Sequence, residues 1–498
     1  VSGDLASVTA GTSNFVAGVN AGNSIASGGN QNVVVGDEAG TAITTGDSNV
    51  AIGYEAGKAI TTGTVNTFVG YASGDATTTS GNNVGVGYAS LTTNILSSKN
   101  VAIGNNALKT HNLASAGDGL NVAVGHGAGE EVTTGTLNTL IGGLAGDATT
   151  TGSYNTAVGY SSLGANTTAS YSTAVGHMAL SSNTTGSGLV ALGNRCLQEN
   201  TTGGNNVAAG SNALRENTTG TINTAFGGEA LRANTTGVQN TAVGYNALND
   251  NTTGGESIAI GYNTLATVTT AGLNTCVGTG AGTSTTTGYG NTFIGLAAGG
   301  LNTTGINNTF IGGRNGSGHT SGYNMTTGSD NVIIGSYNGN HGGLDLRTAD
   351  AHIVISNGYG TPWLWINGSG YIHSTGTYAN TTSAGANVVV ESSGQFVRST
   401  SSLRYKNTVN DATHGLTELM TLRPVTYKGN NDGDTVFGGL IAEEVHDAGL
   451  TEFVQYNDDS EPDAIAYGNM VSLCIKAIQE QQVTITALTD RITALEGA

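Results

Sequence analysis

Proline is nearly missing from this chain, with three residues in 498 and none before Pro362. Proline-rich linkers are thereby excluded, and almost every backbone N–H is free to donate a hydrogen bond. Cysteine is as scarce: Cys196, Cys276 and Cys474 show no short spacing, so neither a disulfide framework nor a zinc knuckle is expected, and all three read as packing residues. Charged residues make up only 10 %, which argues against a solvated disordered tail. Positive charge is rarest. Lysine and arginine total 15 against 34 acidic residues, for a formal charge of −19. The first 330 residues hold seven cations: Lys58, Lys99, Lys109, Arg195, Arg215, Arg232 and Arg314. Such a chain cannot neutralise a run of phosphates, so no nucleic-acid partner is expected. No apolar run reaches the roughly 18 residues of a membrane span, and no charged-then-apolar leader opens the sequence, so neither membrane insertion nor a signal peptide is expected.

What the chain has is glycine, 80 residues without the G-X-Y period of collagen, and one phrase repeated. N-T-A-V-G, with variations, begins at Asn32, Asn49, Asn66, Asn83, Asn100, Asn121, Asn138, Asn155, Ser172, Leu189, Asn206, Asn223, Asn240, Ser257, Asn274, Asn291, Asn308 and Asn331. Fifteen of the seventeen intervals are 17 residues; the others are 21, before Asn121, and 23, before Asn331. A fixed period near this length predicts a solenoid, in which no turn can bury its apolar face alone and each stacks on its neighbours. Eighteen coils at about 4.8 Å each would make a rod on the order of 80 Å long.

Counting places from the leading asparagine, the fourth is apolar in every copy, from Val35 to Ile334, and the second is valine, isoleucine or threonine. These two define one face of a short strand. The third place points the other way and is also mostly apolar, as in Val34, Phe68, Leu140, Phe293 and Phe310. A strand apolar on both faces needs cover on both. The coil's own interior can supply one cover, but nothing else in the chain is long enough to supply the other, so a second copy is expected to do so. The fifth place is glycine throughout, as a positive φ or a close backbone approach requires. The leading asparagines should stack in an amide ladder, with N-T-T-G forming a second corner. Its many Asn-Thr-Thr triplets also match the glycosylation pattern but are better explained by that corner.

The phrase N-T-A-V-G-Y-x-A-L-x-x-N-T-T-G resembles the left-handed β-roll repeats in the heads of trimeric autotransporter adhesins, and related repeats of bacteriophage tail fibres, over residues 32–335. The resemblance implies a homotrimer.

From residue 336 to 400 the period disappears, and "TPWLWINGSGYIH" holds the only tryptophans, Trp363 and Trp365. They alternate on a predicted strand that turns at Asn367-Gly368 into a second strand with Tyr371. Two readings stand side by side: an aromatic platform for a sugar ring, and the packed core of a small hairpin. Asp345, Asp350 and Glu391 are spread without the local logic of a glycosidase pair.

Beyond Thr400 glycine thins and charge rises. "RSTSSLRYKNTV", "RPVTYK", "GLIAEEV" and "YGNMVSLCIKAIQEQ" occur in an order that resembles the intramolecular chaperone domain of endosialidases and other phage tail spikes and fibres, over residues 401–498. The resemblance implies a domain that trimerises the fibre during folding and then releases itself. It places the nucleophile at Ser401, the base at Lys406 and the cut between Thr400 and Ser401, although Ser402 stands where the family usually has an acidic residue. A hydroxyl can be activated by a lysine whose pKa burial has lowered. On spacing alone, Ser401 or Ser402 as a helix cap beside an exposed Lys406 is the simpler reading; the four ordered blocks reverse that preference. The closing segment carries Val471, Ile478, Ile485 and Ile492 seven apart, with Cys474, Gln481, Leu488 and Leu495 three residues after each, a heptad seam.

The sequence therefore predicts a mainly β, elongated homotrimeric β-roll or β-helix solenoid of 17-residue repeats, with a small β-rich tip and a C-terminal α+β chaperone domain ending in a coiled-coil helix. Residues 1–31 form an attachment or capping segment, 32–335 the shaft, 336–400 the tip and 401–498 the chaperone domain. The expected role is that of a virion tail fibre, made in the host cytoplasm and acting extracellularly. Its N-terminal end would be held by a phage tail or baseplate protein. Its tip would adhere to a bacterial surface glycan or protein through Trp363, Trp365 and Tyr371. No cofactor or metal is expected, and the only enzymatic activity is a single self-cleavage by Ser401 and Lys406. The alternatives are a bacterial trimeric surface adhesin and a fibre-borne polysaccharide depolymerase.

Overall fold

A computed structural model describes residues 9–374, the backbone of the strands Val388–Val390 and Phe396–Arg398, and residues 408–430, 434–457 and 459–497. The chain divides into two compact units, Val1–Thr381 and Thr382–Ala498. The first is a β-solenoid of about 17 residues per turn. One sheet of 22 strands runs through it, and all but the last two, Pro362–Ile366 and Ile372–Ser374, are parallel. The ladder begins at Phe15–Ala17, one turn before Asn32, and its last parallel strand is Ile353–Ser356. Twenty parallel strands at about 4.8 Å give an axis of about 90 Å.

Each turn supplies a strand of three residues, places 2 to 4, paired with the same places of the next: Thr241 opposite Ile258, Ala242 opposite Ala259, Val243 opposite Ile260. The remaining residues are bends whose N–H groups also donate between turns. In the turn that starts at Asn240, the residues Asn246, Leu248 and Glu256 have φ of +62°, +51° and +57°. Such conformations are costly for residues with a Cβ. Bonds from their N–H groups to the carbonyls of Gly228, Thr264 and Val238, in adjacent turns, fix all three. A chain in which nearly every N–H is committed in this way has no place for proline.

Inside, two amide ladders run along the axis. Asn49 receives the first step: its backbone N–H donates to Asn32 Oδ1 at 2.9 Å, while its Nδ2 donates to Gly63 O at 2.9 Å and to Asn32 Oδ1 at 3.1 Å. Thus a buried polar side chain is fully satisfied by its own repeat. The second ladder lies at the N-T-T-G corner, from Asn166 through Asn183, Asn200, Asn217 and Asn234 to Asn251. The amide nitrogens of these triplets are buried and bonded, which removes them as glycan acceptors in the folded chain.

The fifth-place glycines answer to both demands made of them. Gly227 has φ +131°, and a Cβ built there would lie 2.6 Å from the carbonyl of Gly244 in the next turn.

Between the ladders lies one continuous apolar core from Ala21 to Val354, and its filling follows a rule of volume. At the ninth place nine turns carry a leucine, Leu91, Leu108, Leu163, Leu180, Leu197, Leu214, Leu231, Leu248 and Leu265; in each of them the third place is alanine or, at Gly85, glycine. Where the third place is Phe68, Leu140, Phe293 or Phe310, the ninth is Gly74, Gly146, Gly299 or Gly322. Each turn holds one large side chain in the same space, supplied from either wall.

The described part of the second unit pairs the strands Val425–Tyr427 and Phe437–Gly439, then Val454–Tyr456 and Pro462–Ile465, and ends in the helix Tyr467–Glu496. Val445, Leu450, Phe453, Val454, Met470 and Leu473 form its core.

Candidate functional site

The fold leaves three surfaces on which function could rest. The first is the outer face of the solenoid sheet. Third-place side chains are fully buried, whereas the fourth-place side chains beside them look outward: Phe226 is 45 % exposed and Ile334 46 %, in a row that also includes Ile52, Ile103, Ile141, Leu192, Ile260 and Ile311. So the chain covers one face of its strands and leaves the other, equally apolar, uncovered. Beside this row stand tyrosines at the sixth place. Tyr54, Tyr71 and Tyr88 stack with centroids 5.3 and 5.1 Å apart. Their ring faces are turned to one another along the axis, so what they present to solvent is edges, a poor platform for a sugar.

The second surface is the tryptophan hairpin, which closes the sheet by pairing antiparallel with Ile353–Ser356. Trp365, opposite Val354, packs against the end of the solenoid core and stacks on His373 with centroids 4.9 Å apart. The register slips between Ile355 and Ser356, whose partners are Leu364 and Pro362, so Trp363 is an extra, bulged residue and is 61 % exposed. The turn is wider than Asn367-Gly368: Asn367 Oδ1 accepts from the N–H groups of Ser369 and Tyr371, and Tyr371 ends the loop, exposed, just before the strand Ile372–Ser374. Among the described residues no ring contact joins Trp363, Trp365 and Tyr371. The structure therefore divides them, with Trp365 in the packed role and Trp363 and Tyr371 presented to solvent.

The third surface is the C-terminal helix. Met470, Leu473 and Ala477 face its own unit's core, while Val471, Cys474, Ile478, Ile485, Leu488, Ile492 and Leu495 are exposed. From Gln481 to Gly497 every residue is exposed, so half the helix has no packing from its own chain. The seam opens at its N-terminal end into an apolar groove of about 750 Å3 lined by Leu419, Leu422, Leu440 and Tyr467, among others. Thr400, Ser401 and Lys406 lie outside the described residues.

The buried titratable groups are packing groups. Burial pushes the Cys196 thiol up to about 12 and raises Cys276 further, so neither is a thiolate near neutrality. His126 and His177 are in different turns, and His177 stacks on Tyr160. No three His, Cys, Asp or Glu side chains converge among the described residues, and no described helix is long and apolar enough to cross a membrane.

Compared with known protein families, curated proteins and solved structures, the chain matches none.

Proposed function

We propose that this chain is the subunit of a homotrimeric adhesive fibre of the phage tail type, in which the solenoid is the shaft and the hairpin region near Trp363 and Tyr371 the receptor-facing tip. The observation that carries the reading is the paired exposure of the outer row, Ile52 to Ile334, and of the helix seam, Val471 to Leu495. Exposed apolar strips of this length mark surfaces that are covered in the working state. Both run along an axis at a constant repeat, which suits a copy of the same chain. A helix end with no packing of its own is marginal until a partner supplies it.

In the same reading residues 401–498 direct trimerisation, and the chain is then cut between Thr400 and Ser401. The Ser401 hydroxyl attacks the Thr400 carbonyl, Lys406 takes its proton, and water releases the fragment. The receptor is a bacterial surface glycan or protein, and a tail or baseplate protein holds the N-terminal end.

Two measurements test this. Sedimentation of the purified chain should give a trimer, and a monomer with its solenoid intact would end the proposal. Intact mass of the wild type and of Ser401→Ala should differ by the loss of one cut in the variant; identical single masses would remove the proteolytic step.

A further inference from the structure

The long interval before Asn331 inserts a loop, residues 313–319, that the sheet does not need, and this loop brings His319 against His341. The two imidazoles touch, with centroids 4.2 Å apart and planes tilted by 50°. His341 belongs to a small antiparallel pair, Asn340–His341 with Leu344–Asp345. His319 Nδ1 lies 2.9 Å from the backbone oxygen of Tyr359. A carbonyl only accepts, so Nδ1 carries the proton and Nε2 keeps its lone pair. Next to Tyr359, Gly360 has φ +85°, and a Cβ there would lie 3.0 Å from His319 Nδ1, so the loop's approach depends on a residue without one.

We propose that His319 and His341 together bind a divalent transition-metal cation of the zinc and nickel class, with water completing its coordination. An imidazole held at one nitrogen by a backbone carbonyl, with the other nitrogen free, is how metal-ligating histidines are oriented. Two imidazoles bound side by side at about 2.1 Å from one ion have centroids about 4.5 Å apart, so the observed pair needs only a small adjustment. Imidazole without carboxylate selects zinc, nickel or copper over calcium or magnesium. The ion fastens three otherwise separate pieces at the end of the solenoid: the 313–319 loop, the strand pair at Asn340, and the turn at Tyr359. This site is independent of the fibre reading.

The test uses the full chain, stripped with a chelator and titrated with Zn2+ in a calorimeter, beside His319→Gln, His341→Gln and the control His126→Gln. One equivalent should bind the wild type and the control and be lost from the other two. Ring-proton NMR of the wild type identifies the ligands without any substitution: on adding Zn2+ the His319 and His341 signals should move and those of the other seven histidines stay. No binding to the wild type, shifts at other histidines, or an equivalent retained by both loop variants would each overturn the proposal.

Discussion

The ring of Phe293 fills the space that a side chain on Gly299 would need: a Cβ built on that glycine lies 2.7 Å from Cδ2 of the ring. Four turns earlier the same space is filled from the opposite wall, by Leu231 across from Ala225. The two walls thus exchange volume while the backbone stays the same, since both Gly299 and Leu231 have positive φ, +61° and +52°.

This exchange predicts a pair of substitutions that are harmful apart and compatible together. Phe293→Ala should cost about 3–5 kcal/mol through the cavity it leaves. Gly299→Leu should be destabilising through overpacking by at least about 1–3 kcal/mol. The double variant rebuilds the arrangement of nine natural turns and should recover most of both losses, apart from the strain of leucine at positive φ. Denaturant unfolding of the four proteins measures the coupling, and additive losses would disprove the shared-space account.

The repeat length, the strand at places 2 to 4, the glycine at place 5 and the asparagine ladder were all legible in the sequence, because each is a periodic demand of backbone geometry. The leucine and glycine exchange is written there too, as a correlation between places six residues apart, but only the fold shows that Ala225 and Leu231 face one space. Trp363 shows why the tip was harder to read. Alternation puts it on the face of Trp365, and a single bulge, which composition does not announce, sends it elsewhere. The first ladder strand, Phe15–Ala17, lies in a stretch that departs from the phrase, so pattern alone did not reveal it.

The amide ladder makes a second prediction. Asn66 accepts from the N–H of Asn83 through Oδ1, and its Nδ2 donates to Asn49 Oδ1 and Ser80 O. Asn66→Ala strands these buried groups and should cost about 1–3 kcal/mol for each left without a partner. Asn66→Asp keeps the shape but removes the donor and sets a carboxylate facing Asn49 Oδ1 and the Ser80 carbonyl, so at neutral pH it should be the worse of the two. Thermal unfolding of both variants checks the order.

His111 stands at the twelfth place, which is asparagine in eight turns, with Nε2 2.8 Å from Ser97 Oγ. Burial lowers its pKa from 6.5 to about 4. Its folded-state pKa lies below the unfolded one, so between these values the unfolded chain binds more protons. Its contribution is therefore complete above pH 6.5 and is lost as the pH falls towards 4, by roughly 3 kcal/mol in all. His111→Asn restores the ladder residue and should remove this part of the acid sensitivity. Stabilities of the two proteins, measured from pH 7 to pH 4, should diverge as the wild type weakens faster; parallel curves would refute the assignment.

Ala191 and Leu192 are neighbours in one strand with opposite fates: Ala191 is fully buried, and Leu192 is 42 % exposed in the outer row. Ala191→Glu forces a carboxylate into the solenoid core, where nothing can pair with it, and should abolish folding of the turns around it whatever the state of assembly. Leu192→Glu leaves that core untouched. In an isolated chain it should change stability by no more than about 0.5 kcal/mol, but against a second copy it buries a charge on an apolar face and should break the assembly. Circular dichroism and sedimentation on the same samples separate the two cases. A Leu192→Glu protein that keeps both its sheet signal and its sedimentation coefficient would show that the outer row faces water in the working molecule, and the reason for assigning it to a sister chain would be gone.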